Sequence, residues 1–275
     1  IPPACRLHRS PDTMNMNNLL GGLDPDLAAR VLSRREAVMR SSKMAGALAI
    51  ASMPVAFGLM ARKAFAQGTL PQPIIDVLNF ALTLEYLEDE FYRLGLDSPD
   101  LDLGDTRTVF EQISAHETDH VALLEMTLGT SAVAKPTFDF TGPNGEFADV
   151  FSNPETFITL AQGFEDTGVR AYKGQAGNLM SDGAILTVAL QIHAVEARHA
   201  SEVRRLSQSP GEKGWITLAS NSVAALDAVY AGEDNTVHLG VDAAQFGTAE
   251  SASEAFDEPL SQEDVLAIAG PFIVQ

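Results

Sequence analysis

Two glutamate–histidine pairs stand out in the chain, Glu117-Thr-Asp-His120 and Glu196-Ala-Arg-His199. Each is Glu-x-x-His, and residues i and i+3 share one face of a helix. Carboxylate and imidazole donors at that spacing can hold a metal ion, and oxygen with imidazole suits iron or manganese. One such motif is a weak signal, since Glu and His are common on solvated faces. A matching pair of glutamates strengthens it. Glu85 precedes Tyr92 by the same interval as Glu165 precedes Tyr172. The step from Glu85 to Glu117 equals that from Glu165 to Glu196 to within a single position. The chain therefore repeats one unit: Glu85, Tyr92, Glu117 and His120 recur as Glu165, Tyr172, Glu196 and His199.

Four helices must position these residues. Ile74, Val77, Leu78, Ala81, Leu82, Leu84 and Leu87 recur at helical spacing and predict a first helix over about 73–94. Pro99 and Gly104 break it. A second helix is expected over about 106–128, stopping at Gly129, and a third from Pro154, a first-turn proline, to about Gln175. The fourth runs from about Asp182 to Ser207. Residues 130–153 between the second and third are long enough to cross a bundle lengthwise. They carry Phe138, Phe140, Phe147 and Phe151, which predicts a loop packed on the protein. Two hairpins joined by one long crossover make an all-α four-helix bundle of the ferritin-like arrangement.

The heights agree as well. Glu85 and Glu117 are equidistant along the chain from Leu101, in the middle of the first interhelical loop. Glu165 and Glu196 are likewise equidistant, to within a single position, from Met180 in the second. Equal distances from a turn put side chains of an antiparallel pair at one level. Glu85, Glu117, His120, Glu165, Glu196 and His199 are therefore the candidate metal ligands, for two Fe or two Mn ions. Two Glu-x-x-His motifs with two lone glutamates form the donor set of dinuclear carboxylate bundles. Four carboxylates match the charge of two divalent ions. Buried without cations, they would repel one another and suffer desolvation.

Several neighbours compete for roles. Glu88 and Asp89 lie one turn beyond Glu85, but only Glu85 reproduces the Glu165–Tyr172 spacing. Tyr92 and Tyr172 either hydrogen-bond ligand carboxylates or are plain core tyrosines. His116 and His193 lie close enough around their helices to be extra ligands, against the commoner reading of satisfied histidines.

The tail is less patterned. Trp215–Tyr230 reads as a helix and Gly232–Gly247 as a loop, and Ser261 looks like the cap of a short helix ending at Gly270-Pro271. Residues 209–275 are expected to be an extension packing on the bundle of residues 67–208.

Residues 1–66 read as something other than fold. Ser33-Arg34-Arg35 and Lys43 precede an apolar run at 44–60, and Ala64-Phe65-Ala66 follows as a small-x-small site. This is the layout of a secretory signal. The paired arginines make it resemble a twin-arginine signal, although Ala37 and Val38 stand where larger apolar residues are usual. The reading predicts an exported protein of the periplasm or cell exterior, with contact to membrane only through the signal segment. A retained anchor is the alternative, but the run from Met44 to Met60 is short for a span and contains Pro54.

The whole chain of 275 residues carries 18 Lys+Arg and 37 Asp+Glu, a net charge of −19. Residues 67–275 carry 9 against 33, a net of −24. Such a balance excludes nucleic acid as a partner, since that binding is driven by Lys and Arg displacing counterions. Cys5 is the single cysteine, which excludes a disulfide framework and thiolate-held zinc or iron–sulfur centres. Any metal must sit on His, Asp and Glu.

The stretches LNFALTLEYLEDEFY (78–92), ISAHETDHVALL (113–124), AQGFEDTGVRAY (161–172) and HAVEARHASEVR (193–204) resemble the ferritin-like superfamily. With AFDEPLSQEDVLAIAGPFI (255–273), they are similar to exported bacterial ferritin-like proteins related to plant desiccation-associated proteins. The resemblance implies a bundle fold and a di-metal site, and says little about substrate. Partners are then metal ions and a small oxidant, with self-association into a homo-oligomer left open. Redox chemistry towards Fe(II), dioxygen or peroxide is one expectation, as a ferroxidase- or peroxidase-like oxidoreductase. A non-enzymatic, metal-stabilised stress protein of the envelope is the other.

Overall fold

A computed structural model describes residues 70–207, 213–219 and 226–274 of the chain. The expected export signal and Cys5 lie outside the described residues. Among those described, no helix is long and apolar enough to cross a membrane.

Four long helices dominate: α1 (Gln72–Asp97), α2 (Arg107–Leu128), α3 (Pro154–Gln175) and α4 (Gly183–Ser207). Helix α1 packs along α2, and α3 along α4. The two hairpins meet chiefly through α1 and α3, so the bundle has the expected architecture. Local chemistry explains the helix ends. The Asn153 side chain accepts a hydrogen bond from Glu155 N, and Pro154 supplies the first turn of α3. The Asp182 carboxylate accepts from Ala184 N and Ile185 N and so caps α4. Helix α2 stops at Gly129, whose φ of 55° favours a residue without a Cβ.

The crossover is packed. Phe140 and Phe147 are buried, and Phe140 lies 5.4 Å from Phe91 between ring centroids. Strand β1 (Thr137–Phe138) within it pairs antiparallel with β4 (Ile273–Val274), the last described strand of the chain. A small hairpin, β2 (Val237–His238) with β3 (Val241–Asp242), lies in the tail. Two short helices, α5 (Ala249–Ser253) and α6 (Gln262–Ala269), follow, and a capping box of Ser261 and Asp264 starts α6.

The expected helix at 215–230 is not formed at its described ends. Residues 215–219 and 226–230 run as bends, tight turns and irregular backbone, with no α-helix. The backbone closes into tight turns instead, with Val229 N donating to Leu226 O at 2.9 Å and Tyr230 N to Asp227 O at 3.3 Å. The carbonyls of Val229 and Ala231 accept hydrogen bonds from the Arg170 guanidinium, which lies on α3 and is 1% exposed. Leu226, Val229 and Tyr230 form an apolar cluster with Ile216.

Helix α3 is the most enclosed element. Every residue from Ala161 to Tyr172 is buried. The bundle covers one side and the tail covers the other. Gly174 marks the closest approach, because a Cβ there would lie 1.9 Å from the Leu260 carbonyl oxygen.

Candidate metal centre

All six glutamates and histidines with repeated spacing point into the middle of the bundle. Glu85, Glu117, Glu165 and Glu196 are fully buried, and His120 and His199 nearly so. Their donor atoms fall into two sets, each lying within 4.8 Å: Glu85, Glu117, His120 and Glu196, and Glu117, Glu165, Glu196 and His199.

The two sets share two carboxylates. Glu117 turns Oε2 to His120 Nδ1 at 3.1 Å and Oε1 to His199 Nδ1 at 2.9 Å. Glu196 does the same, with Oε1 3.0 Å from His120 Nδ1 and Oε2 3.7 Å from His199 Nδ1. Glu85 reaches only His120, at 3.2 Å, and Glu165 only His199, at 3.3 Å. Thus the two glutamates of the Glu-x-x-His motifs bridge the sets, and the two lone glutamates end them.

Of these contacts only His120 Nδ1 with Glu85 Oε2 and with Glu117 Oε2 are hydrogen bonds. Glu117 Oε1, Glu165 Oε2, both Glu196 oxygens and His199 Nδ1 are buried without a hydrogen-bond partner. Buried polar atoms are nearly always paired, so five orphans converging on one spot need an explanation. Cations between them would supply it. Carboxylate and imidazole donors in two groups of four are compatible with a dinuclear metal site.

Electrostatics point the same way. Burial pushes the Glu85 carboxyl up to about 8 and Glu165 well above the usual carboxylate range. Burial also opposes the charge on His199, but Glu165 and the other carboxylates around it outweigh that and raise it to about 12. His120 is raised in the same way, against its burial, chiefly by Glu85. Burial would raise Glu196, but the two imidazoles overcome it and hold that carboxyl at about 2. Without metal, protons occupy the site where cations would balance the charge.

The tyrosines cross between hairpins. Tyr92 on α1 donates to Glu165 Oε1 on α3 at 2.5 Å, and Tyr172 on α3 donates to Glu85 Oε1 on α1. Each phenol leaves the second oxygen of its carboxylate free to face the cluster.

His116 is not among the converging donors. Its Nδ1 lies 2.8 Å from His199 Nε2, and its Nε2 lies 2.9 Å from the Gln112 side-chain amide. It thereby orients the outer nitrogen of His199, leaving Nδ1 to face the carboxylates. His193 is half-buried and stays outside both sets. Asp89 points away, accepting from Thr118 and pairing with Lys135.

Glu88 is the residue that sequence spacing undervalues. It is 3% exposed and makes no side-chain hydrogen bond or ion pair among the described residues. Burial, and after it the charges of Glu196, Glu165, Glu117 and Glu85, push its carboxyl well above the usual range. Gly168 makes room for it: a Cβ there would sit 3.1 Å from Glu88 Oε1 and 3.8 Å from Glu196 Oε2. In the repeat, Gly168 follows Glu165 at the interval by which Glu88 follows Glu85. That paired glycine is the signal that could have found Glu88 as a fifth carboxylate beside the cluster.

With this geometry in view, residues 74–209 match the family model of the ferritin-like domain. That segment holds all four long helices nearly whole and every donor of the cluster. Over that segment the chain is similar to a ferritin-like domain, and the helical bundle found there fits that likeness. No curated protein matches the chain.

Proposed function

We propose that the protein is an exported dinuclear carboxylate protein, binding two Fe or two Mn ions on Glu85, Glu117, His120, Glu165, Glu196 and His199. The reading is carried by the five orphaned donor atoms that converge between two imidazoles. Glu117 and Glu196 would bridge the ions, since each directs one oxygen into each set. Glu85 and Glu165 would each serve one ion, held by Tyr172 and Tyr92. When bound, such a pair of ions supplies one-electron redox chemistry at each metal, towards Fe(II), dioxygen or peroxide. The chain's own contribution is to exclude water, to neutralise charge and to hold protons. The phenols of Tyr92 and Tyr172 keep theirs, because burial and then the paired carboxylate raise both well above the usual phenol range.

Metal analysis of the purified protein tests the reading. About two Fe or Mn per chain are expected, on the donor count of such bundles. Glu117→Ala should remove both ions, because that residue belongs to both sets, whereas Glu85→Ala should leave about one. No bound metal after anaerobic reconstitution with Fe(II) or Mn(II) would defeat it. A loaded protein that neither oxidises Fe(II) nor consumes peroxide would favour the non-enzymatic stress-protein alternative.

A further inference from the structure

The repeat that builds the site is symmetric at the ligands but not around them. On the Tyr92 side the core is solid. Phe91, Phe110 and Phe157 stand 5.3, 6.1 and 6.2 Å from the Tyr92 ring, and Phe91 packs edge-on to Phe164. On the Tyr172 side lies a cavity of about 470 Å³ among all four helices.

The register of the repeat explains why. The offset that superposes Glu85 on Glu165 pairs Phe91, Phe157 and Phe164 with Ala171, Val77 and Leu84. The offset that superposes Glu117 on Glu196 carries Phe110 onto Ala189. All four smaller residues line the cavity, and so does Tyr172 itself. Aromatic rings fill one half of the bundle, and small residues leave the other half hollow. Protein interiors close-pack, so a void of this size beside a buried site is a feature and not slack. Its volume is that of a small-molecule pocket.

The lining states what kind of molecule fits. No charged residue contributes to it. Its polar groups are Thr127, Tyr172, Gln175, Thr187 and Gln191. Ala184, Thr187 and Gln191 are exposed, so the cavity opens along the outer face of α4. An apolar body is favoured inside, and a head that exchanges neutral hydrogen bonds is favoured at the mouth. An anionic head would meet no cation there, on a chain with a net charge of −24 beyond residue 66.

We infer that this cavity is the substrate compartment of the four-glutamate site and takes the alkyl chain of a neutral molecule, such as a medium-chain alcohol or aldehyde. Its inner end would lie against Tyr172, the hydrogen-bond donor to Glu85. The inference rests on the metal-site reading for its meaning, but ligand binding and metal content are measured separately and fail separately.

Calorimetric titration of the full chain with 1-decanol tests it, with metal content determined on the same samples. Saturable one-to-one binding with a negative heat-capacity change is expected, the mark of apolar burial. Ala171→Phe and Ala189→Phe copy the solid half of the bundle into the hollow one. Each should weaken decanol binding at least tenfold while metal content stays unchanged. Decanoate should bind at least tenfold more weakly than decanol at pH 7. Absence of saturable decanol binding, unchanged binding in both folded Phe variants, or tighter binding of decanoate would each overturn the inference. Should the Phe variants fail to fold, anomalous scattering from crystals soaked in 10-bromo-1-decanol locates the chain directly, and bromine found only outside the cavity overturns it. Decanol binding that appears only after residues 1–66 are removed would assign the cavity to the apolar run at 44–60 and overturn it too.

Discussion

At the scale of single residues, metal binding at the cluster would be an exchange of protons for cations. Glu85 pushed up to about 8 and His199 pushed up to about 12 both hold protons at neutral pH without metal. Ligation needs those sites deprotonated, so binding must release protons and strengthen as pH rises. Adding Mn(II) to weakly buffered metal-free protein at pH 6.5 should acidify the solution, and affinity should climb between pH 6 and 8. An affinity flat across that range would contradict the assignment of Glu85 and His199 as ligands. His116 makes a second residue-level case. It engages His199 Nε2 and leaves Nδ1 to the carboxylates. Losing such an outer partner typically costs about 10- to 100-fold in metal affinity, so His116→Ala should weaken binding by that factor. Equilibrium competition with a chelator measures it, and an unchanged affinity would reduce His116 to a bystander. The converging residues were legible in the sequence because their spacing repeats. The role of His116 was not, because it acts through His199, far away in sequence; that of Glu88 was marked only by the glycine at 168 in the matching place of the repeat.

At the scale of elements, the four long helices were readable from apolar periodicity and from Asn153, Pro154 and Gly129 at their ends. Helix α3 shows where that reading stops. Periodicity finds the face of α3 that carries Glu165 and Tyr172, but not that Asp166 and Arg170 are buried as well. Their partners stand far along the chain, at Arg204, Tyr230 and Glu233, the last two in its least patterned stretch. The same stretch reads as a helix because Ile216, Leu226, Val229 and Tyr230 are apolar at suggestive intervals. Its described end closes into tight turns instead, and its fixed partner is Arg170, far away in sequence. Gly174 offers a test at this scale. Alanine is the better helix former by about 1 kcal/mol, so Gly174→Ala would stabilise a helix free of neighbours. Here the new methyl meets the Leu260 carbonyl, whose backbone N–H donates to Arg170 O at 3.2 Å. A net loss of about 1–3 kcal/mol is expected, the usual range for overpacking. A rise in melting temperature would show that the tail yields and that the close approach is incidental.

At the scale of the whole molecule, bundle and tail share one interior. Arg170 donates to the carbonyls of Glu258, Val229 and Ala231 and lies 2.9 Å from a Glu233 oxygen. Arg204 pairs with Asp166, which also accepts from Tyr230 at 2.6 Å. Removing one partner of a buried ion pair strands the other charge, which costs about 3–5 kcal/mol. Arg170→Ala should lose that much in urea unfolding, and limited proteolysis should cut within 226–274 before it cuts the long helices. A loss under about 1 kcal/mol would mean that Glu233 finds water or another cation instead, on the scale of exposed pairs. The enclosure of α3 has a practical consequence for anyone who would transplant this site. The segment matching the ferritin-like family ends at residue 209, yet the far side of the helix that carries Glu165 is roofed by residues beyond it. A chimera cut at that border would expose Leu160 and Gly163 and leave the Arg170 guanidinium facing water. What is shared with other sequences is smaller than what must travel together, and any graft of the metal centre has to carry its roof.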